Sequence, residues 1–170
     1  TGAAALEWSG HLAAGLAQGD ARAKIVELAG DKYLRERLAR IATELMGTRG
    51  VRMYHDQALY KEPSGGHTPW HADQYYWPLE TEQSCTVWVP LQAVPLNMGP
   101  LAFSDGSHKH TFGRDLAISD ESEKQIQAAL AKEKLPYIEE AFDLGEVSFH
   151  YGWTFHRAGP NRTERTREVM

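Results

Sequence analysis

Eight histidines are distributed along the chain, and what chemistry they could do depends on which of them converge with a carboxylate. His71-Ala-Asp73 offers the best pairing. In extended backbone, residues two apart face the same way, so an imidazole and a carboxylate would stand side by side with about 6 to 7 Å between their Cα atoms. Such a pair can chelate one metal ion. The rival pair, His67 and His71, has the four-residue spacing of a helical zinc site, but Pro69 lies between them and disfavours a helix. A third ligand must come from a distant part of the chain: His55, His108, His110, His150 and His156 are the candidates, and its context favours His156. That residue opens the segment His156-Arg-Ala-Gly-Pro-Asn-Arg-Thr-Glu-Arg-Thr-Arg167, which holds four arginines and one glutamate. A local basic cluster in an acidic chain suggests an anionic ligand beside the metal, the plainer alternative being a solvated charged loop.

These residues need elements to hold them. Leu34, Leu38, Ile41, Ala42 and Leu45 recur at spacings of three and four, which predicts an amphipathic helix from Asp31 to Met46 with Asp31 at its start and Gly47 at its end. A weaker helix is expected around Ala21 to Leu28. Another is expected from Glu121 to Lys134, with Asp120 as cap, Glu123 three residues on, and Pro136 barring continuation. The rest reads as strands, Val51 to Tyr60, Thr86 to Leu91, Leu101 to Ser104 and Val147 to Tyr151, between turns rich in Gly, Pro, Asn and Asp. Short strands and such turns indicate a sandwich or barrel.

Composition sets the outer bounds. A length of 170 residues with 42% hydrophobic content suits one domain. The formal charge of -5 argues against a nucleic-acid partner, since phosphate binding needs a basic face. A single cysteine, Cys85, excludes an internal disulfide and reads as a buried strand residue. No apolar run approaches the ~20 residues of a membrane span, and no signal-peptide pattern is present, so the expectation is a cytoplasmic protein with a small-molecule substrate and no obligate protein partner. The start at Thr1 and the stop at Met170, within a strand-like Arg-Glu-Val-Met, read as the ends of a fragment.

Taken in order, His71-x-Asp73, His156 and Arg167 eleven residues later resemble the phytanoyl-CoA dioxygenase family. Lys61-Glu-Pro, His67-Thr-Pro-Trp-His-Ala-Asp-Gln, Tyr76-Trp-Pro, Trp88-Val-Pro-Leu, Gly99-Pro-Leu, Gly106-Ser-His-Lys and Gly159-Pro-Asn-Arg-Thr are similar to that family's signatures and stand in its order, from about Gln57 to Arg167. The resemblance implies a mainly β fold: a double-stranded β-helix, the cupin-like jelly roll, with flanking helices. It would be a single oxygenase domain over 1–170, incomplete at both ends, with 1–48 as helical support and 49–170 as the core.

The resemblance further implies an Fe(II) facial triad of His71, Asp73 and His156, leaving three positions for 2-oxoglutarate and O2. Arg167 would hold the distal carboxylate of 2-oxoglutarate through its planar fork of donors, with Gln57 and Trp88 lining the cosubstrate. Lys61 falls on the same strand face as Gln57 and would bind cosubstrate or an acidic substrate. The implied reaction is hydroxylation of a small organic substrate with release of succinate and CO2, and Asp73 favours it over halogenation, for which related enzymes carry a small residue there. One departure is Ala158, where many members carry a serine that hydrogen-bonds the cosubstrate. His108-Lys-His110 imitates the His-x-His of a cupin site without a suitably spaced glutamate, so a loop role is expected. Tyr75, Tyr76 and Trp77 are expected either to floor the substrate pocket or to be core. Two other classes fit part of this pattern: a non-catalytic jelly-roll binding protein, and a zinc hydrolase using the same ligands.

Overall fold

The structure, a computed structural model, describes residues 3–6 and 32–170. Among the described residues the strands and α-helices are β1 (Ala3–Leu6), α1 (Lys32–Met46), β2 (Leu59–Lys61), β3 (Thr68–His71), β4 (Cys85–Trp88), β5 (Leu101–Ser104), α2 (Asp120–Glu133), β6 (Tyr137–Glu139), β7 (Val147–Tyr151), β8 (His156–Ala158) and β9 (Arg167–Val169). All strand pairings are antiparallel, in the orders β1-β7-β4, β2-β9 and β3-β8-β5-β6. The chain beyond β4 joins the first two sheets, since Val89 and Met170 exchange backbone hydrogen bonds of 2.8 and 3.0 Å and Leu91 N–H donates to Glu168 at 3.0 Å. The result is two facing β layers, the jelly-roll arrangement.

Strand alternation decides what each layer shows to the other. On β7, Val147 and Phe149 pack outward with Leu38, Ile41 and Ala42 of α1, which leaves Ser148 and His150 facing inward. On β4, Cys85 and Val87 lie on the α1 side, leaving Thr86 and Trp88 inward. Cys85 is thus a half-buried strand residue whose thiol pKa is raised by burial. In the opposite layer, Trp70 and Ala72 pack outward against Ile126 and Leu130 of α2, leaving His71 and Asp73 inward. Trp88, Leu101, Phe103 and Ala158 meet in the interior cluster between the layers. Each helix therefore covers the outer face of one layer, and the apolar spacing that specifies it is the spacing that buries it.

Several expectations are corrected in detail. Leu45 is exposed, because it lies off the packed face of α1. The cap of α2 is Ser119, not Asp120: Ser119 accepts from Ser122 N–H and Ser122 Oγ accepts from Ser119 N–H, both at 3.0 Å, a capping box built from two serines. Of the strand expected over 51–60, only Leu59 and Tyr60 belong to β2, because β9 supplies partners for three residues alone. The segment 1–48, expected to be helical, contributes strand β1 beside β7 as well as α1. The helix expected around 21–28 lies outside the described residues. Among the described residues no helix is long and apolar enough to cross a membrane.

Two loops close the interior at Gly99 and Gly159. Gly99 has φ +71°, and a Cβ there would stand 2.2 Å from the Gly159 carbonyl oxygen. Gly47 at the end of α1 has a similar φ of +63° but open space around it. Gly47→Ala should therefore cost only the left-handed penalty, about 1 to 2 kcal/mol, whereas Gly99→Ala should cost at least ~3 kcal/mol because backbone must also move. Urea unfolding of both variants measures the difference; equal losses would mean the Gly99–Gly159 approach relaxes freely.

Candidate metal centre

The metal-binding geometry begins with strand register. β3 and β8 pair so that His71 and His156 are direct cross-strand partners, and their ring centroids stand 4.2 Å apart. The Nδ1 of His71 lies 2.8 Å from the Pro69 carbonyl and that of His156 lies 3.0 Å from the Thr154 carbonyl. A carbonyl can only accept, so the geometry assigns the proton to Nδ1 in both rings and leaves each Nε2 lone pair turned inward. This is the tautomer that a metal-ligating histidine needs.

Asp73 arrives by a different route. The strand ends at His71, Ala72 remains extended at φ −125° and ψ 132°, and Asp73 is the first residue of a 3-10 turn, Asp73–Tyr76. One further extended residue suffices to keep Asp73 on the His71 face, although it is not itself a strand residue as the sequence suggested. Its Oδ1 lies 3.8 Å from His71 Nε2 and 3.5 Å from His156 Nε2. The turn is fixed from below by Gln74 N–H donating to the Gly152 carbonyl at 2.9 Å and by Gly152 N–H donating to Ser84 at 3.0 Å. Gly152 has no room for a side chain, since a Cβ would meet Ser84 Oγ at 2.3 Å.

One ligand atom from each of His71, Asp73 and His156 falls within 4.8 Å of the others, a set that could hold a metal ion. Electrostatics favour the ligating protonation states. Burial, together with the charge of its neighbour His156, lowers the His71 pKa to about 4, and burial lowers that of His156 to about 4, helped by His150 and opposed by Asp73. Burial pushes the Asp73 carboxyl upward, but the charges of His156 and His150 and hydrogen bonds from His150 and Thr86 outweigh it and hold the group well below the usual carboxylate range. Two neutral imidazoles and one carboxylate therefore face each other at neutral pH. The donor set fits ferrous iron, leaving the rest of an octahedral shell open.

Two cations stand in the same interior. Arg167 on β9 is 4% exposed; its guanidinium stacks 5.5 Å from the Trp88 ring centre and donates from one Nη to the Gly99 carbonyl. Lys61, its cross-strand partner on β2, donates from Nζ to the Gly159 carbonyl at 2.7 Å. Burial first, and then repulsion from Arg167, lowers the Lys61 pKa to about 8, and burial lowers that of Arg167 to about 10. Arg167 Nε is buried without a partner, and among the described residues no carboxylate lies within ion-pair reach of either cation. Backbone carbonyls, which are neutral, are the acceptors that hold the two side chains.

The other sequence candidates separate cleanly. Trp88 is buried in the interior, whereas Gln57 is solvent-exposed and two residues short of β2, so it takes no part in the cluster. The reason is the late start of the β2–β9 pairing at Leu59. Arg157 points outward to Glu123, and Arg162 and Arg165 are exposed. A cavity of about 400 Å³ lined by Arg157, Arg162, Glu139 and Tyr137 contains none of the ligand cluster. His108 and His110 belong to a loop, their carbonyls accepting from Arg114. His55 is exposed and packs edge-on against Trp77, and Tyr75 and Tyr76 are exposed too, so these rings are not core. His150 is not a candidate ligand here: its Nε2 contacts Asp73 Oδ2 at 3.2 Å. Thr86, which donates to the same oxygen at 2.6 Å, escaped notice in the sequence, although it stands two residues from Trp88 on one strand face.

Comparison with known proteins agrees with this architecture. The phytanoyl-CoA dioxygenase family profile matches residues 9–169. A probable alpha-ketoglutarate-dependent hypophosphite dioxygenase of Stutzerimonas stutzeri is 23% identical over 145 residues, covering 79% of this chain and 48% of that protein, so the chain spans about half its length. Among solved structures, the non-heme alpha ketoglutarate dependent carbocyclase SnoK from nogalamycin biosynthesis superposes with a TM-score of 0.76 at 22% identity, over 99% of this chain and 77% of that one. The epimerase SnoN, in complex with Fe3+, alpha ketoglutarate and nogalamycin RO, gives a TM-score of 0.68 at 24% identity, over 98% and 65% of the two chains. These likenesses establish the shared fold.

The depressed histidine pKa values give a stability prediction for the metal-free protein. Between the unfolded value of 6.5 and the folded values of about 4, the unfolded chain binds more protons than the folded one, so stability falls as pH is lowered through this window. Asp73 acts only below its unfolded value of 3.8, so it does not mask the effect. Urea midpoints should drop from pH 7 to pH 5, and a His71→Gln/His156→Gln variant should show a flatter dependence. An unchanged slope in that variant would refute the assignment.

Proposed function

The chain belongs to the phytanoyl-CoA dioxygenase family, and from that premise we propose that it is an Fe(II)- and 2-oxoglutarate-dependent oxygenase that hydroxylates a small organic substrate. One observation carries the reading: a His-Asp-His set with both histidines buried shares an interior with two buried cations that have no carboxylate partner among the described residues. A metal that needs open positions and a dicarboxylate that needs a positive anchor answer both features at once.

Ferrous iron with 2-oxoglutarate and O2 supplies the oxidising step when bound, releasing succinate and CO2 as the substrate C–H bond is hydroxylated. His71, Asp73 and His156 would hold the ion from one side. Arg167 would receive the distal carboxylate, because a guanidinium offers two parallel N–H donors where an ammonium offers one point charge. The Gly99 carbonyl and the Trp88 face fix the guanidinium in advance, which limits the entropy lost on binding. Lys61, tethered to Gly159, would add a second positive charge. Trp88 would wall the cosubstrate and exclude water. Ala158, on the inner face beside these groups, supplies no hydroxyl, so the charge pairing bears more of the binding.

The exposed rings of Tyr54, Tyr75 and Tyr76, with half-buried Trp77, suit an organic substrate at the mouth. SnoK and SnoN come from nogalamycin biosynthesis and the Stutzerimonas stutzeri relative is a probable hypophosphite dioxygenase, so the substrate class is read from these rings alone. The chain organisation proposed with it is one oxygenase domain with 49–170 as the jelly-roll core and α1 packed on its outer face. A zinc hydrolase would use the same three ligands but has no use for the two buried cations.

Arg167→Ala should leave anaerobic Fe(II) binding nearly intact and weaken 2-oxoglutarate binding at least about tenfold, since a buried charge-assisted pair contributes ~1.5 to 3 kcal/mol and 1.4 kcal/mol is a factor of ten. Arg167→Lys should recover only part of the loss, and Arg157→Ala, Arg162→Ala and Arg165→Ala should change it several-fold at most. His71→Ala, Asp73→Ala and His156→Ala should each abolish stoichiometric iron binding. Calorimetry measures all of these. Loss of 2-oxoglutarate binding in Arg162→Ala or Arg165→Ala but not Arg167→Ala would move the clamp; insensitivity of all four would favour the zinc reading.

A further inference from the structure

The two β layers present Asp73 with two cross-strand pairs, one to each oxygen. His71 and His156, partners across β3 and β8, face Oδ1 at 3.8 and 3.5 Å. Thr86 and His150, partners across β4 and β7, face Oδ2 at 2.6 and 3.2 Å. Asp73 is thus gripped on the oxygen turned away from the histidine pair. Both gripping residues belong to the opposite sheet, so their positions are set independently of the metal ligands.

The His150 ring is 2% exposed, and its Nδ1 is buried without a partner. That decides its tautomer. A proton on Nδ1 would orphan a buried N–H and turn two lone pairs, those of Nε2 and Oδ2, toward each other. A proton on Nε2 instead donates to Oδ2 and leaves only an unsatisfied acceptor, the cheaper of the two faults. Thr86 has one hydroxyl hydrogen, and at 2.6 Å from a carboxylate it is committed to that oxygen.

We propose that Thr86 and His150 are positioning residues that occupy Asp73 Oδ2 and so confine Asp73 to one-oxygen ligation of the metal. The inference rests on the metal-site reading above and adds to it the cause of the open positions. A carboxylate free to rotate can chelate an ion through both oxygens and fill a fourth position in the octahedral shell. With Oδ2 held by two donors, that rotation is blocked, and three adjacent positions stay available for cosubstrate and O2. A backbone turn alone does not do this, because it fixes the Cα–Cβ bond and leaves the carboxylate torsion soft.

Manganese(II) serves as a redox-stable probe. The wild-type protein without cosubstrate should bind one Mn(II) with three exchangeable water ligands, counted by pulsed electron paramagnetic resonance in isotopically labelled water. Thr86→Val and His150→Phe, each of similar shape but without the donor, should reduce that count toward two and change Mn(II) affinity about tenfold, the usual scale for groups that orient metal ligands. Thr86→Ser and His150→Gln, which keep a donor, should restore three waters. A purely structural role for these side chains would lower the melting temperature without altering the water count.

Failure of wild-type protein to bind Mn(II) or Fe(II) overturns the metal-site reading itself. Normal wild-type binding with three waters and unchanged affinity in both Thr86→Val and His150→Phe overturns the clamp alone. Should His150→Phe not fold, the Thr86→Val and Thr86→Ser pair decides: identical water counts in the two overturn the proposal, and loss in valine with recovery in serine supports it.

Discussion

The carboxylate of Asp73 is the constraint on which this interior depends. A charge buried between two β layers is costly unless every lone pair finds a donor or a cation, and the cost grows as water is excluded. Both layers contribute to meeting it. The β3–β8 pair brings two imidazole lone pairs to one side, which only a cation can reconcile with a carboxylate, and the β4–β7 pair brings two hydrogen-bond donors to the other. The register of four strands is therefore tied to one side chain. A slip of one residue in any of them would turn its contribution out toward a helix and leave the anion unsatisfied.

The same interior carries the opposite imbalance a short way off. Lys61 and Arg167 are adjacent across β2 and β9, buried, and held by the carbonyls of Gly159 and Gly99 in place of carboxylates. Carbonyl dipoles solvate a cation only in part, as the lowered pKa values of both groups show. The absence of a side chain at position 99 lets the two carbonyl-bearing loops approach each other beside the cations. Stability has been given up locally to hold two cations together in the interior. The helices pay no part in this chemistry, and their work is done on the outer faces, where α1 and α2 bury the residues that alternate with the functional ones.

Much was legible in the amino-acid order because it depends on local rules. The period of three and four between Leu34 and Ala42 gave α1, alternation and turn residues gave β5 and β7 with their observed ends, and the ordered motifs from Gln57 to Arg167 pointed to the family and to the three residues His71, Asp73 and His156 that the fold brings together. Local competition between similar rules accounts for the near misses. Ser119 and Asp120 are both good caps, and only the geometry of Ser122 reaching back chose between them. Val51 to Ala58 has strand-like composition but no strand partner among the described residues, and a strand without a partner does not form, which is also why Gln57 remained outside.

What the sequence determined by itself was the identity of the groups and the face on which each would lie, because side-chain direction follows from backbone period alone. What only the tertiary structure decided was which faces meet. That Thr86 and His150 close on the far oxygen of Asp73, and that Arg167 stands beside Lys61 with no carboxylate near among the described residues, depends on the register of strands far apart in the chain. Register is fixed by long-range hydrogen bonding and by the packing of two whole layers, and no window of neighbouring residues contains that information.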